Sequence, residues 1–357
     1  MSRTKTIAAV GAGAAVAASG AVVVRTLRQA RKERVEVARR SLTGSVQHTP
    51  DRELSVRTDD GVTLHVEVDE PSGVRENAPT VLLVHGFTIS CRAWVFQRRA
   101  LTEAGYRVVS YDHRGHGRSG SGANDHATIE QLGRDLRRIV DLIEDSIAPG
   151  TSIALIGHSM GAMSMMAFGD LARDLIGTRI VAATFMATSA GGEGQLISLG
   201  YGAFIGRLIE RFGPGTLGGL GRKERLLRPL RRFGRDLEDY FVQHYSFASP
   251  VSQSLVRFTG DLAFETAFAT IGSFIATFND HDRRDSLAAW GAVPTLVISA
   301  QEDRLTPLEH GRAIAEGIPG SQHVVIANAG HMLMLEHPGL VNDELLQVLD
   351  EAARATA

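Results

Sequence analysis

A mostly parallel α/β sheet, covered by helices on both faces and interrupted by an inserted helical cap, is the fold class this sequence predicts. Three observations carry it. Short apolar runs recur at Thr80–Val84, Tyr106–Tyr111, Ile153–Ile156, Ile180–Met186, Thr295–Ser299 and His323–Ile326, as in strands buried on both faces. Helix-compatible stretches separate most of them, and strand–helix alternation makes neighbouring strands parallel. The alternation lapses between Ser189 and Val293, where Gly, Arg and Phe abound and no strand pattern is visible.

Taken in order, Arg3 and Lys5 precede an uncharged run from Ile7 to Val24. Its length sits at the lower edge of what spans a bilayer. Ala15-Val16-Ala17 resembles a cleavage site, but Arg25, Arg28, Arg31, Lys32, Arg34, Arg39 and Arg40 follow at once. The expectation is an uncleaved membrane anchor over residues 7–24, with a soluble helix or leader as the bland reading. The C-terminal flank carries more Lys and Arg, so the positive-inside rule keeps the folded part cytoplasmic; the cell envelope or secretion is the alternative. Residues 25–50 read as a charged stem and linker, giving an N-terminal unit of 1–50.

The core is expected over 51–189 and 287–357, with the cap at 190–286. Asp59-Asp60-Gly61 between two short runs, Glu53–Arg57 and Val62–Val68, signals an antiparallel hairpin. Cys91–Ala104 reads as a helix. Thr128–Asp145 has apolar residues at helical spacing, and Thr128 with Gln131 fits a capping box. Further helices are expected over Pro307–Glu316 and Pro338–Ala353, the second with proline in its first turn. Within the cap, Leu262, Phe264, Phe268, Ile271, Phe274, Ile275 and Phe278 form an apolar stripe. Core packing explains such a stripe, but Phe264, Phe268 and Phe274 are also candidate substrate contacts. Arg222–Arg235 is basic with interleaved leucines, which fits a solvated helix or contact with anionic lipid.

The formal charge of −2 gives no reason to expect nucleic acid as a partner. The lone cysteine, Cys91, rules out an intrachain disulfide and is expected to be packing rather than a catalytic thiol.

The informative stretch is Gly157-His158-Ser159-Met160-Gly161, between an apolar strand and a helix. A serine in a sharp strand-to-helix turn stands clear of the backbone, where a base can reach it. A helix N-cap is the bland alternative. A nucleophile here predicts an acid past a later strand and a histidine past the last one. Asp303 follows Thr295–Ser299, and His331 follows His323–Ile326. Ser159 would attack an acyl carbonyl, His331 would move the proton, and Asp303 would hold the imidazole. Glu302 is the alternative acid. The backbone N–H groups of Met160 and Phe87 are the expected oxyanion donors.

With these residues in hand, the chain resembles the α/β-hydrolase superfamily. The resemblance rests on His85-Gly86-Phe87, Asp112-His113-Arg114-Gly115-His116-Gly117-Arg118-Ser119, the serine turn, Asp303 before Thr306-Pro307, and Gly330-His331 before Glu336-His337-Pro338. It covers about Leu54 to Leu349. Ala300, where many relatives have glycine, is a minor departure. The resemblance implies an eight-stranded, mostly parallel sheet with a lid. It also implies hydrolysis of carboxylic esters, lipase-like and on a small-molecule or lipid ester, with no metal and no cofactor. His85, His116, His158 and His337 are expected to be structural. The same triad would serve a cofactor-free haloperoxidase or perhydrolase, a thioesterase, an acyltransferase or a C–C bond hydrolase. A tethered, non-enzymatic binding protein is the third reading.

Overall fold

The computed structural model describes residues 45–73, 75–122, 126–192 and 242–355. The anchor expected at 7–24, the stem to residue 44, the basic stretch 222–235 and cap residues 193–241 lie outside them. Among the described residues no helix is long and apolar enough to cross a membrane.

The chain opens with a hairpin of β1 (Arg52–Arg57) and β2 (Thr63–Asp69), in which Arg52 faces Val68 and Arg57 faces Thr63. Its turn is closed by Thr58 N–H donating to Val62 O at 2.8 Å, and Gly61 takes the φ of +87° that favours glycine. Then follow β3 (Thr80–Val84), α1 (Val95–Glu103) after a 3₁₀ turn, β4 (Val108–Tyr111), α2 (Ile129–Leu142), β5 (Ile153–His158), α3 (Met160–Leu171) and β6 (Ile180–Met186). The described part of the insertion contributes α4 (Gln253–Glu265) and α5 (Phe268–Asn279). The core resumes with β7 (Thr295–Ala300), α6 (Leu308–Gly317), β8 (Gln322–Ile326), α7 (Leu333–Glu336) and α8 (Pro338–Ala355).

The eight strands form one sheet in the order β1-β2-β4-β3-β5-β6-β7-β8. The β1–β2 and β2–β4 pairs are antiparallel and the remaining pairs parallel. Alternate side chains serve opposite faces. Val81 and Leu83 of β3 join Leu101, Val341 and Leu345 on the side of α1 and α8. Leu82 and Val84 join Leu136, Ile139 and Phe168 on the side of α2 and α3. Burial on both faces is why β3 and β5 read as unbroken apolar runs.

Local departures from the sequence pattern have visible causes. The Thr128 hydroxyl caps α2 by accepting from Gln131 N–H at 3.1 Å, but the Gln131 amide turns to Asp135 rather than back to the cap. The helix expected to run to Asp145 leaves α geometry after Leu142 and continues as a π turn over Ile143–Ile147, in which Ile143 and Ile147 are both buried. Tyr106, expected at the start of β4, instead closes α1, its N–H donating to Leu101 O at 3.0 Å.

Candidate active site

Ser159, Asp303 and His331 all follow the C-terminal ends of parallel strands, where such sheets gather their functional loops. Ser159 stands between β5 and α3 at φ +52°, ψ −122°. A non-glycine residue there costs about 1–3 kcal/mol, so its surroundings must hold it. Ser159 N–H donates to Met186 O at 2.9 Å, and the Thr188 hydroxyl donates to Ser159 O at 2.8 Å. Glycine flanks the serine because nothing larger fits. A Cβ on Gly157 would lie 2.7 Å from Ala162 Cα, and one on Gly161 would lie 2.2 Å from Val84 O.

The structure brings the three residues singled out in the sequence together. Ser159 Oγ is 3.0 Å from His331 Nε2, and His331 Nδ1 is 2.9 Å from Asp303 Oδ2. They lie 172 and 28 residues apart respectively. Asp303 is buried. Burial works against its charge, but the facing His331 and the N–H groups of Thr306 and Leu305 outweigh it and hold the carboxyl below the ordinary carboxylate range. Glu302 points elsewhere: it is exposed, and its carboxylate accepts from Ala329 N–H at 3.0 Å.

The expected oxyanion donors sit beside the serine. Met160 opens α3, so its N–H is a first-turn donor at the positive end of the helix. Phe87 follows Gly86, whose missing Cβ would lie 3.1 Å from Ser159 Cβ. Buried imidazoles brace that loop. His85 Nε2 accepts from His113 N–H at 2.9 Å, and His113 Nε2–H donates to His85 O at 3.0 Å. Burial pushes His85 down to about 4 and His116 to about 3, and it depresses His113 as well, so all three are neutral struts at pH 7. His158 is similar: burial and the adjacent His331 lower it to about 3, and it donates from Nε2 to His331 O at 2.9 Å.

A small cavity opens beside Ser159, with Phe87, Ile89, Met163, Leu305 and Met332 on its walls and Thr259, Ala263 and Phe278 contributed by the insertion. The phenylalanines expected to meet substrate are placed differently. Phe264 is 55% exposed and faces away. It is one residue, hence about 100° of helix, beyond the cavity-lining Ala263. Phe274 is buried one layer behind, its ring 6.1 Å from that of Phe87. Of Phe268 only the backbone is described, at the start of α5.

Two residues of the site stand in the sequence only as motif neighbours, with no role of their own. One is Thr306, whose hydroxyl donates to Asp303 Oδ2 at 2.8 Å. The other is Glu336, 2% exposed. Its carboxylate accepts from Gly330 N–H at 2.7 Å, Ala248 N–H at 3.0 Å and Ser249 N–H at 2.5 Å. With Met332 N–H on Ser246 O at 2.9 Å, Glu336 ties the His331 loop to the stem of the insertion on both sides of the histidine. The only signal was its place in Glu336-His337-Pro338.

A family model described as alpha/beta hydrolase fold matches residues 79–338. Among curated sequences, the AB hydrolase superfamily protein YisY of Bacillus subtilis is 27% identical over 300 residues, covering 82% of this chain and 97% of that protein. A 2-hydroxy-6-oxononadienedioate/2-hydroxy-6-oxononatrienedioate hydrolase of Escherichia coli is 25% identical over 294 residues, covering 76% and 86%. Among solved structures, a thermophilic esterase from Thermogutta terrifontis shares the fold, with a TM-score of 0.64 at 24% identity over 85% of this chain and 99% of its own. A bromoperoxidase from Bacillus anthracis gives 0.62 at 26% identity over 84% and 100%.

Proposed function

The chain belongs to the alpha/beta hydrolase fold family, and from that membership we propose a serine hydrolase that cleaves neutral, short-chain carboxylic esters through an acyl-enzyme on Ser159. The observation that carries the reading is the unbroken line from Ser159 Oγ to His331 to Asp303, at 3.0 and 2.9 Å. His331 Nε2 accepts the hydroxyl proton as Oγ bonds to the acyl carbon. The carbonyl oxygen becomes an oxyanion between the N–H groups of Met160 and Phe87. The proton passes to the leaving alkoxide, and water then repeats the sequence to release the acid. Fluorophosphonate is expected to label Ser159 and no other serine, read by peptide mass spectrometry; absence of label in the folded protein would sink the proposal.

The cavity argues for the substrate class. None of its described lining residues is Asp, Glu, Lys or Arg. Among the described residues, a substrate with free carboxylates, such as the dioates named for the Escherichia coli relative, would find no counter-charge there to offset its desolvation. This favours a neutral acyl group. The cavity volume is about 60 Å³, against roughly 10–15 Å³ per water by the same measure. That suits an acyl chain of roughly two to four carbons better than a fatty one. With p-nitrophenyl esters, kcat/KM is expected to fall about tenfold or more from butyrate to decanoate, since methylenes beyond the available space must strain the cavity walls, at roughly 1–3 kcal/mol. A rise towards decanoate would restore the lipase-like reading.

We also infer that residues 7–24 tether this hydrolase to a membrane with its catalytic part on the cytoplasmic side, from the apolar run and the basic residues after it. A periplasm-dependent reporter fused after residue 45 should stay silent; an active one would reverse the orientation.

A further inference from the structure

Asp303 accepts four hydrogen bonds, and three come from the two residues Leu305 and Thr306. Oδ1 takes the N–H of Leu305 at 2.8 Å and of Thr306 at 3.0 Å. Oδ2 takes His331 Nδ1–H at 2.9 Å and the Thr306 hydroxyl at 2.8 Å. The same hydroxyl oxygen lies 3.5 Å from His331 Nδ1. Thr306 is 5% exposed and Asp303 6%, so water has little room to take over either bond. A carboxylate oxygen offers two lone-pair directions. With the hydroxyl on one, the imidazole must approach along the other. The two backbone bonds fix one oxygen of the carboxylate, and the hydroxyl fixes the other.

We propose that Thr306 is a positioning residue of this site: its hydroxyl locks the Asp303 carboxylate so that Oδ2 meets His331 along one direction, which aims Nε2 at Ser159. The role rests on the serine-hydrolase reading above. A hydroxyl that is merely satisfied in the core would affect stability alone. The lock has an electrostatic consequence as well. The hydroxyl draws on the negative charge of Oδ2. Without it, more of that charge faces the imidazole and favours the imidazolium over the neutral ring. The other groups around His331 stay as they are: the Ser159 hydroxyl, the His158 ring from β5 with its centroid at 4.8 Å, and His310 of α6, which senses the Asp303 charge. Burial favours the neutral form of both histidines.

The test compares the full-length wild type with Thr306→Val, which keeps the shape and loses the hydroxyl, and Thr306→Ser, which keeps the hydroxyl. Hydrolysis of a short-chain ester is followed by pH-stat. In Thr306→Val, kcat is expected to fall about tenfold with KM within about twofold, as for loss of one bond to a charged group. The acid limb of kcat/KM should move about half a unit to higher pH, and Thr306→Ser should restore both. A second readout needs no turnover: the downfield proton resonance of the His331–Asp303 bond, identified by its loss in Asp303→Asn. It should shift in Thr306→Val and return in Thr306→Ser. A profile and resonance superimposable on wild type, whatever the melting temperature, would overturn the positioning role. Should wild type take up fluorophosphonate at Ser159 but hydrolyse no short-chain ester while the resonance still moves, the ester reading fails and the positioning role stands.

Discussion

Alanine at position 159 is expected to lower kcat for any ester this chain hydrolyses by about 10⁵–10⁶-fold, the scale seen when a triad nucleophile is removed. The chemistry leaves no substitute. Ser159 Oγ is the atom facing His331 Nε2 at 3.0 Å, and without it the imidazole has no hydroxyl to deprotonate. Ser164, the serine of the following helix α3, is fully buried with its hydroxyl donating to Gly161 O at 2.6 Å. The substitution should leave the fold intact, because the turn is held by the residue 159 N–H on Met186 O, by the Thr188 hydroxyl on the residue 159 carbonyl and by the flanking glycines. Alanine at φ +52° is strained no more than serine. The measurement is kcat on p-nitrophenyl butyrate beside the melting temperature and fluorophosphonate uptake. Undiminished labelling in a folded Ser159→Ala protein would transfer the nucleophile to another residue.

How far the site could be read in the sequence depended on how local its causes are. The turn at Ser159 is written in five consecutive residues, because strain, close approach and helix start all act within them. Strand β6 runs from Ile180 to Met186 at both ends as its apolar pattern predicts, since burial on both faces leaves no other reading. Asp303 and His331 were found by position, each just past a parallel strand. What escaped was set by distance or by phase. The apolar stripe from Leu262 to Phe278 was read as one face, yet two helices share it, with a break between Glu265 and Phe268. Helical phase is not carried across such a break, so Phe264 points outward while Phe278 reaches the cavity. Glu336 finds two of its three donors 87 and 88 residues away. No local pattern announces that a buried carboxylate will close a loop so remote. In the sequence Thr306 is only a motif neighbour of Asp303, and its hydroxyl acquires a role only once Asp303 and His331 meet in space.

Asp303→Asn is expected to cost about 10⁴-fold in kcat with little change in KM, and the bonding around the residue dictates why. Leu305 and Thr306 present two N–H groups to Oδ1. An asparagine must answer them with its carbonyl oxygen, because an amide nitrogen has no acceptor to offer. Its NH₂ group then takes the place of Oδ2 and donates towards His331 Nδ1. Nδ1 is forced to accept, so the ring proton moves to Nε2, the atom that must receive the serine proton. The imidazole is in place but in the wrong tautomer. The Thr306 hydroxyl accommodates the change by turning from donor to acceptor, so the fold survives. A pH series of melting temperatures separates this from simple damage. The native state holds the Asp303 carboxyl below its ordinary range, so the stability its charge contributes is complete above the unfolded value near 3.9 and is lost as pH falls through the lower, folded one. Asparagine lacks that contribution throughout. The stability gap between the two proteins should therefore be largest at neutral pH and close below about pH 4. Retention of more than a tenth of wild-type kcat in a folded Asp303→Asn protein would return the role of the acid to Glu302, despite its exposure and its bond to Ala329.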